Sequence, residues 1–241
     1  MTGTLINVIA VLLGGTLGLL LGHRLPKRVQ ETGMHGLSVL VIVIGITMAL
    51  ETQNILLPMF SVLLGAILGE LLGIEEALNR LGRLVEERWG HRLGQGKVAG
   101  WSVTRAFVTT SLLFCVGPMT ILGSIQDGLI GDYHLLAIKS VLDGFAAIPF
   151  AATLGPGVLL SAGTVALVQG TIAGLAMVLG GAWDVSRETP WVLELTASGG
   201  VLVTAIGLNM LQLTQIRVAN LLPAIGFAPL LVWIAQAVGL L

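Results

Sequence analysis

Residues 133–154 read YHLLAIKSVLDGFAAIPFAATL, an apolar segment that holds a lysine and an aspartate near its middle. Asp143 is about ten residues into the segment, so at 1.5 Å per helical residue it lies roughly 15 Å deep, near the centre of a ~30 Å hydrocarbon core. A charge at that depth costs roughly 2.5–3.5 kcal/mol and typically marks a functional site that faces protein or water. Lys139 lies one turn earlier, on the same helix face. The segment therefore predicts a membrane helix with an intramembrane ion pair.

The composition of the whole chain indicates an integral membrane protein. Of 241 residues, 55% are hydrophobic and only 10% are charged, with a mean hydropathy of +0.94, whereas a soluble domain is about 25% charged. A net charge of -1 gives no indication of nucleic-acid binding. The single Cys115 excludes an internal disulfide, and no paired Cys/His spacing suggests a metal site. We expect an all-α protein in the lipid bilayer, with no metal, no cofactor and no enzymatic activity.

Eight apolar runs are long enough to cross a bilayer. They cover residues 4–22, 34–50, 55–73, 101–124, 133–154, 157–182, 191–211 and 219–240. Basic residues concentrate in the connections after the first, third and seventh runs, which an alternating topology places on one side. By the positive-inside rule that side is cytoplasmic, so both termini are predicted to be non-cytoplasmic. Residues 74–99 then form a cytoplasmic connection, with the pattern of an amphipathic linker helix or a partner-binding element.

An internal repeat relates the two ends of the chain. The segment GITMALETQ at 45–53 matches GLNMLQLTQ at 207–215, and NILLP at 54–58 matches NLLP at 220–223. More faintly, Gly14 and Gly18 mirror Gly170 and Gly174. The copies, 1–73 and 157–241, are three helices each and five spans apart, so they must have opposite orientations. This predicts a single transmembrane domain in which inverted repeats, as in many secondary transporters, flank a central helix pair at 100–156.

Helix-breaking residues concentrate in the central pair. Gly117-Pro118 interrupts the fourth run, and Pro149 and Gly155-Pro156-Gly157 interrupt or end the fifth. Proline removes a backbone donor, so freed carbonyls need partners in protein, water or an ion. The breaks are therefore either packing kinks or parts of a discontinuous-helix binding site.

The candidate site centres on Asp143 and Lys139, with Ser140 beside them. Either the pair is a static salt bridge or Asp143 binds a proton or cation with an affinity that Lys139 tunes; buried pairs are weak evidence for stability. The pattern Ser-x-x-Asp-Gly also occurs at 124–128, where Asp127 is either a site residue or part of an Asp-Gly turn. Further polar residues inside spans are Asn7, Thr120, Ser124, Gln169 and Asn209, for which interhelical hydrogen bonds are the common alternative.

Two stripes of glycines at four-residue spacing predict tight helix packing. They are Gly14, Gly18 and Gly22 in the first run and Gly65, Gly69 and Gly73 in the third. Such faces pack either within a bundle or between subunits, so we expect a homodimer.

The segments GTLIN at 3–7, Gly14-Gly15, Asp127-Gly128 and KSVLDGF at 139–145 resemble the YdfK/YqgA-type bacterial inner-membrane proteins, the domain-of-unknown-function-554 family. The resemblance covers nearly the whole chain. It implies a multi-pass protein of the bacterial plasma membrane and a suspected transporter, and it provides no agreed binding residues.

The sequence thus favours a secondary transporter for a small solute or ion, with alternating access around the fourth and fifth spans. A proton, a cation, an amine or an amino acid would each suit the Asp/Lys pair. An ion channel, or a membrane scaffold without transport, is the alternative.

Overall fold

The computed structural model describes residues 1–22, 26–77, 80, 103–115, 118–179 and 189–239. Nine α-helices are assigned in these ranges: α1 Thr2–Gly22, α2 Lys27–Ala49, α3 Leu56–Leu72, α4 Val103–Cys115, α5 Pro118–Leu129, α6 His134–Leu154, α7 Gly157–Leu179, α8 Pro190–Met210 and α9 Ala224–Ala237. A short 3-10 helix, Val218–Leu221, precedes α9. No strand occurs in the described ranges, and the predicted all-helical fold is confirmed. Most of the predicted amphipathic connection at 74–99 lies outside the described residues.

Six helices of the described chain are long and apolar enough to cross a membrane. They are Thr2–Gly22, Glu31–Ala49, His134–Leu154, Gly157–Val178, Pro190–Met210 and Val218–Ala237. A seventh span results if α4 and α5, which meet at a 62° bend, count as one. Pro118 begins α5 at this bend, because proline lacks the N–H that would continue the hydrogen bonds of α4. α3 is shorter, at 17 residues, so the count of eight spans stays a prediction.

The chain divides into two compact units. Unit 1 comprises Met1–Met34 and Leu81–Val185, and thus holds α1 and α4 to α7. Unit 2 comprises His35–Arg80 and Ser186–Leu241, and holds most of α2 together with α3, α8 and α9. The predicted second and third spans therefore fold with the seventh and eighth.

In unit 1, α1 packs directly on α6 through its glycine stripe. A Cβ atom on Gly14 would lie 2.1 Å from the carbonyl oxygen of Gly144, and one on Gly18 would lie 2.2 Å from that of Ile148. Gly22 meets Ala152 in the same way. The contacts advance together along both helices, so α1 and α6 run parallel. Only glycine permits backbones to approach this closely.

α7 packs against both α4 and α5, which run along it. Gly157 of α7 meets Val103 of α4, the Ser111 hydroxyl lies 3.0 Å from that of Thr164, and Gly128 of α5 meets Ala173. α4 therefore covers the first part of α7 and α5 the last part, in the same direction. α1 runs the opposite way along α7, because Gly15 meets Leu159 whereas Met1 meets Gly174.

Unit 2 consists of two antiparallel helix pairs. In the first, Gly45 of α2 packs on Gly200 and Thr204 of α8, and Gly207 of α8 packs on Ser38 and Ile42 of α2.

In the second pair, Gly65 of α3 meets Ala224, the first residue of α9, and Gly69 meets Asn220 in the 3-10 helix before α9. Gly73 does not extend this stripe, because it ends α3 with a φ of 60°. Both glycine stripes thus pack inside their own units, and they give no support to the predicted homodimer.

Candidate functional site

A buried ion pair lies at the centre of unit 1. The Lys139 ammonium is 2.5 Å from Oδ2 of Asp143, and the Asn7 side-chain amide donates to the same oxygen at 2.9 Å. Each member of the ion pair is 7% exposed, and Asn7 is fully buried. Asn7 reaches Asp143 because Gly14 and Gly144 allow α1 and α6 to touch. The structure thus adds a third member to the predicted pair.

The break between α4 and α5 lies beside this pair. Cys115, the last residue of α4, is close enough to Lys139 and Asp143 to interact electrostatically with both charges. The Thr120 hydroxyl donates to the Phe114 carbonyl at 3.2 Å. Because the break deprives the last carbonyls of α4 of their helical donors, Thr120 compensates one of them. Thr120 therefore holds the two half-helices together next to the charges.

Asp127, the second predicted carboxylate, is helical and buried. It lies inside α5 with 2% of its surface exposed, so the Asp-Gly dipeptide does not form a turn here. Its Oδ2 accepts a hydrogen bond from the Gly3 backbone N–H at 3.0 Å, and Oδ1 lies 3.1 Å from the Met1 ammonium. A carboxylate at a helix N-terminus is stabilised by the free N–H groups and the helix dipole. Asp127 thus anchors the start of α1.

Besides Asp127, whose Oδ1 has only the Met1 ammonium beside it, three of the predicted polar residues have buried atoms without a hydrogen-bond partner. These atoms are Oδ1 of Asn7, Oγ of Ser124, and both Oε1 and Nε2 of Gln169. All three residues are fully buried. Leaving a buried polar group unpaired costs about 1–3 kcal/mol, and such groups call for an explanation.

Two predicted residues have local structural roles. The Ser140 hydroxyl donates to the Leu136 carbonyl of its own helix at 2.6 Å. Asn209 lies in unit 2, apart from the other candidates. There its amide donates to the Ile216 carbonyl at 2.7 Å and its Oδ1 accepts from Thr214 and from the Ile216 N–H. Asn209 thereby shapes the connection after α8.

The sequence analysis missed Glu194 of α8, which is 1% exposed. One carboxylate oxygen accepts from the Thr52 hydroxyl at 2.6 Å, and the other from the backbone N–H groups of Gln53 at 3.0 Å and Asn54 at 3.3 Å. Glu194 therefore holds the connection between α2 and α3. An acidic residue inside an apolar run could have indicated this role. Glu194 is only the fourth residue of the run 191–211, however, and a charge so near the end of a span is common.

Carboxylates also hold two other connections. In unit 2, Glu70 forms an ion pair with Arg217 and accepts from the Asn220 side chain at 2.7 Å. In unit 1, Asp132 precedes α6 and accepts from the His134 backbone N–H at 3.0 Å. That bond, together with the His134 side chain, lowers the pKa of Asp132.

Six apolar helices of membrane-spanning length and a buried ion pair define a multi-pass helical membrane protein. Among known proteins, the chain belongs to the family described as "Protein of unknown function (DUF554)", whose model matches residues 2–233. The family resemblance seen in the sequence is thereby confirmed.

Two relatives extend over nearly the whole chain. The "Uncharacterized protein YqgA" of Escherichia coli (strain K12) is 34% identical over 226 residues, which are 92% of each chain. The "Uncharacterized membrane protein YdfK" of Bacillus subtilis (strain 168) is 27% identical over 246 residues, covering 100% of this chain and 99% of its own. No solved structure matches the chain.

Proposed function

We propose that this protein is a secondary transporter for a small solute or ion, with its binding site in unit 1. The observation that carries the proposal is the buried arrangement of Lys139, Asp143 and Asn7. Desolvating two charges usually consumes the Coulombic gain of pairing them, so a buried pair contributes little to stability. A charged pair inside a membrane protein therefore calls for a functional reason.

The broken helix provides the second argument for transport. Its two half-helices meet beside the pair and present a helix C-terminus and a helix N-terminus there. Discontinuous helices supply free carbonyls and dipole ends to the substrate sites of many transporters. In this proposal, rearrangement at the break opens the site alternately to each side of the membrane.

Helix directions within each unit support a topology of eight crossings. α4 and α5 follow α7 in one direction from Gly157 to Ala173, a rise of about 24 Å at 1.5 Å per residue. This path suits one broken span rather than a re-entrant loop. Three crossings, α2, α3 and this broken span, would then separate α1 from α6. Successive crossings alternate in direction, so α1 and α6 must run parallel, as they do in unit 1. Positive-inside orientation then places both termini outside the cytoplasm of a bacterial inner membrane.

The packing of α2 on α8 supports an inverted repeat. The sequence match relates residue 45 to residue 207, an offset of 162. Adding 162 to Ser38, Ile42 and Gly45 gives 200, 204 and 207, so the contacts of Gly45 with residues 200 and 204 become those of Gly207 with residues 38 and 42. The two glycines that the sequence match pairs, Gly45 and Gly207, thus both lie at this antiparallel crossing, which is the arrangement expected of an inverted repeat.

An uptake assay with one conservative substitution tests the proposal. Purified protein in proteoliposomes would be assayed for uptake of radiolabelled alanine and methylammonium and for proton flux. We expect Asp143→Asn to insert normally and to lose at least tenfold of the flux, because the amide keeps the shape and removes the charge. Asp132→Asn, at the exposed start of α6, is the control and should retain the flux. Full flux in Asp143→Asn would refute the role of this residue.

The alternatives differ in their electrical and genetic signatures. Unitary currents in planar bilayers would identify a channel. A scaffold would show no flux with any solute, and joint replacement of Lys139 and Asp143 would then be harmless to the cell.

A further inference from the structure

The unpaired buried atoms of Asn7, Ser124 and Gln169 lie in one layer of unit 1, one turn from two other atoms without a hydrogen bond, Oγ1 of Thr4 and Oδ1 of Asp127. On α1, Asn7 is one turn beyond Gly3, whose N–H bonds to Asp127. α5 runs opposite to α1, so Ser124, one turn before Asp127, is level with Asn7. On α7, which is parallel to α5, Gln169 is one turn before Ala173, the residue that faces Gly128. Asn7, Ser124 and Gln169 are therefore at a similar height in unit 1, in the layer that holds Asp143.

The charges of this layer are already compensated. Asp143 is paired with Lys139, and Asp127 is bound by the Gly3 backbone N–H and the Met1 ammonium. The unpaired atoms of Asn7, Ser124 and Gln169 are neutral: a carbonyl acceptor on Asn7, a hydroxyl on Ser124, and a donor and an acceptor on Gln169. Oδ1 of Asp127 also lacks a hydrogen bond, but it is ion-paired with the Met1 ammonium. An ion entering here would leave its own charge uncompensated in a low dielectric, which is costly.

We infer that the site binds a small uncharged solute of the carboxamide class, which carries a carbonyl acceptor and N–H donors together. Gln169 can both donate to and accept from such a group, while Asn7 accepts from its N–H and Ser124 donates to its carbonyl. The Lys139–Asp143 pair then holds Asn7 in position rather than binding the solute's charge. This inference rests on the proposed transport function and narrows its substrate.

A stopped-flow light-scattering assay, which follows the volume of proteoliposomes as solute enters them, tests the inference. Acetamide is the neutral probe. Sodium chloride and methylammonium chloride serve as ionic probes. We expect acetamide entry well above that of empty vesicles and at least tenfold slower entry in Gln169→Leu, which keeps the size of the side chain and removes both polar atoms. Gln126→Leu, at an exposed position of α5, should transport like the unchanged protein.

Direct binding gives a second readout that does not depend on transport. Acetamide should raise the apparent thermal stability of the purified protein, because a ligand of the native state alone does so, and Gln169→Leu should abolish the increase. Ionic flux that is lost in Asp143→Asn and kept in Gln169→Leu would overturn the inference and leave transport intact. A Gln169→Leu protein that is more stable, with unchanged flux, would show that only structural water fills the layer.

Discussion

At the scale of single residues, unit 1 holds its charged groups in two different ways. Asp127 accepts from the Gly3 backbone N–H and pairs with the Met1 ammonium at the start of α1, whereas Asp143 depends on two side chains, Lys139 and Asn7. A carboxylate held by a helix terminus is part of the scaffold. A carboxylate held by side chains of two helices, as Asp143 is, instead determines how the groups around it are placed.

Removing one member of the Lys139–Asp143 ion pair should lower the free energy of unfolding far more than removing both. We expect Asp143→Ala to lower the free energy of unfolding by about 3–5 kcal/mol, because it leaves Lys139 buried and unpaired. The double variant Lys139→Met/Asp143→Leu should recover most of this loss. Chemical denaturation in detergent micelles measures both.

The exposed pair of Glu76 and Arg80 is the matched control, because it has the same spacing and lies at the surface. Glu76→Ala should change stability by no more than about 1 kcal/mol. Equal losses for Glu76→Ala and Asp143→Ala would contradict the argument from burial.

Glu194 should control the connection between α2 and α3. Glu194→Ala removes the acceptor of the Thr52 hydroxyl and of the Gln53 and Asn54 N–H groups, and the Asn54 N–H keeps a second acceptor, the Thr52 hydroxyl at 3.1 Å. We expect amide hydrogen exchange to accelerate strongly at residue 53 and less at residue 54. Glu51→Ala, on the exposed side of the same connection, should leave the exchange rates unchanged.

At the scale of helices, glycine determines how close two backbones come. The stripe on α1 brings Asn7 to Asp143, so the geometry of the site depends on residues that carry no functional group. A change to the stripe should therefore affect stability and function together.

A methyl group added to the glycine stripe of α1 should destabilise the protein far more than one added to an open helix face. Gly18→Ala places a Cβ 2.2 Å from the Ile148 carbonyl oxygen, so the helices must separate, at a cost of about 1–3 kcal/mol or more. Gly163→Ala in α7 meets nothing within 4 Å, and its better helix propensity should hold or slightly raise stability. Thermal denaturation measures the melting temperatures of the two variants, and similar values would refute the tight α1–α6 contact.

At the scale of the whole molecule, the number of crossings determines which connections share a side of the membrane. If α4 and α5 form one broken span, the connections before α3 and before α6 lie on the same side. If they form a re-entrant loop, these connections lie on opposite sides. With one broken span, five crossings separate the connection after α8 from the one before α3, so these two connections lie on opposite sides; with a re-entrant loop only four crossings separate them, and they share a side.

Labelling of single cysteines in intact cells distinguishes the two topologies. In a Cys115→Ser background, Gln53→Cys and Ile130→Cys should both react with an impermeant maleimide added outside, because both positions are exposed and the proposed eight crossings put both connections outside the cytoplasm. Leu213→Cys, exposed after α8, should react only after the cells are opened. Labelling of Gln53→Cys without Ile130→Cys would establish the re-entrant loop.

The sequence by itself determined the helical membrane class, the family and the position of Asp143 mid-way along an apolar helix, because these follow from composition, shared segments and spacing along one helix. It also placed Lys139 beside Asp143, since the two are four residues apart. It could not identify Asn7 as the third member, because that contact joins residues 136 positions apart. It likewise left Asp127 open between a turn and a site, since the dipeptide Asp-Gly is common in turns, and it passed over Glu194.

Only the tertiary structure decided which helices share a unit and which polar side chains meet. The physical reason is that both the lipid and the protein interior are apolar, so a membrane helix carries little hydrophobic pattern to distinguish its two faces. The glycine stripes indicated close packing without naming the partner. Their partners became known only when the carbonyl oxygens of Gly144 and Ile148 were found against Gly14 and Gly18.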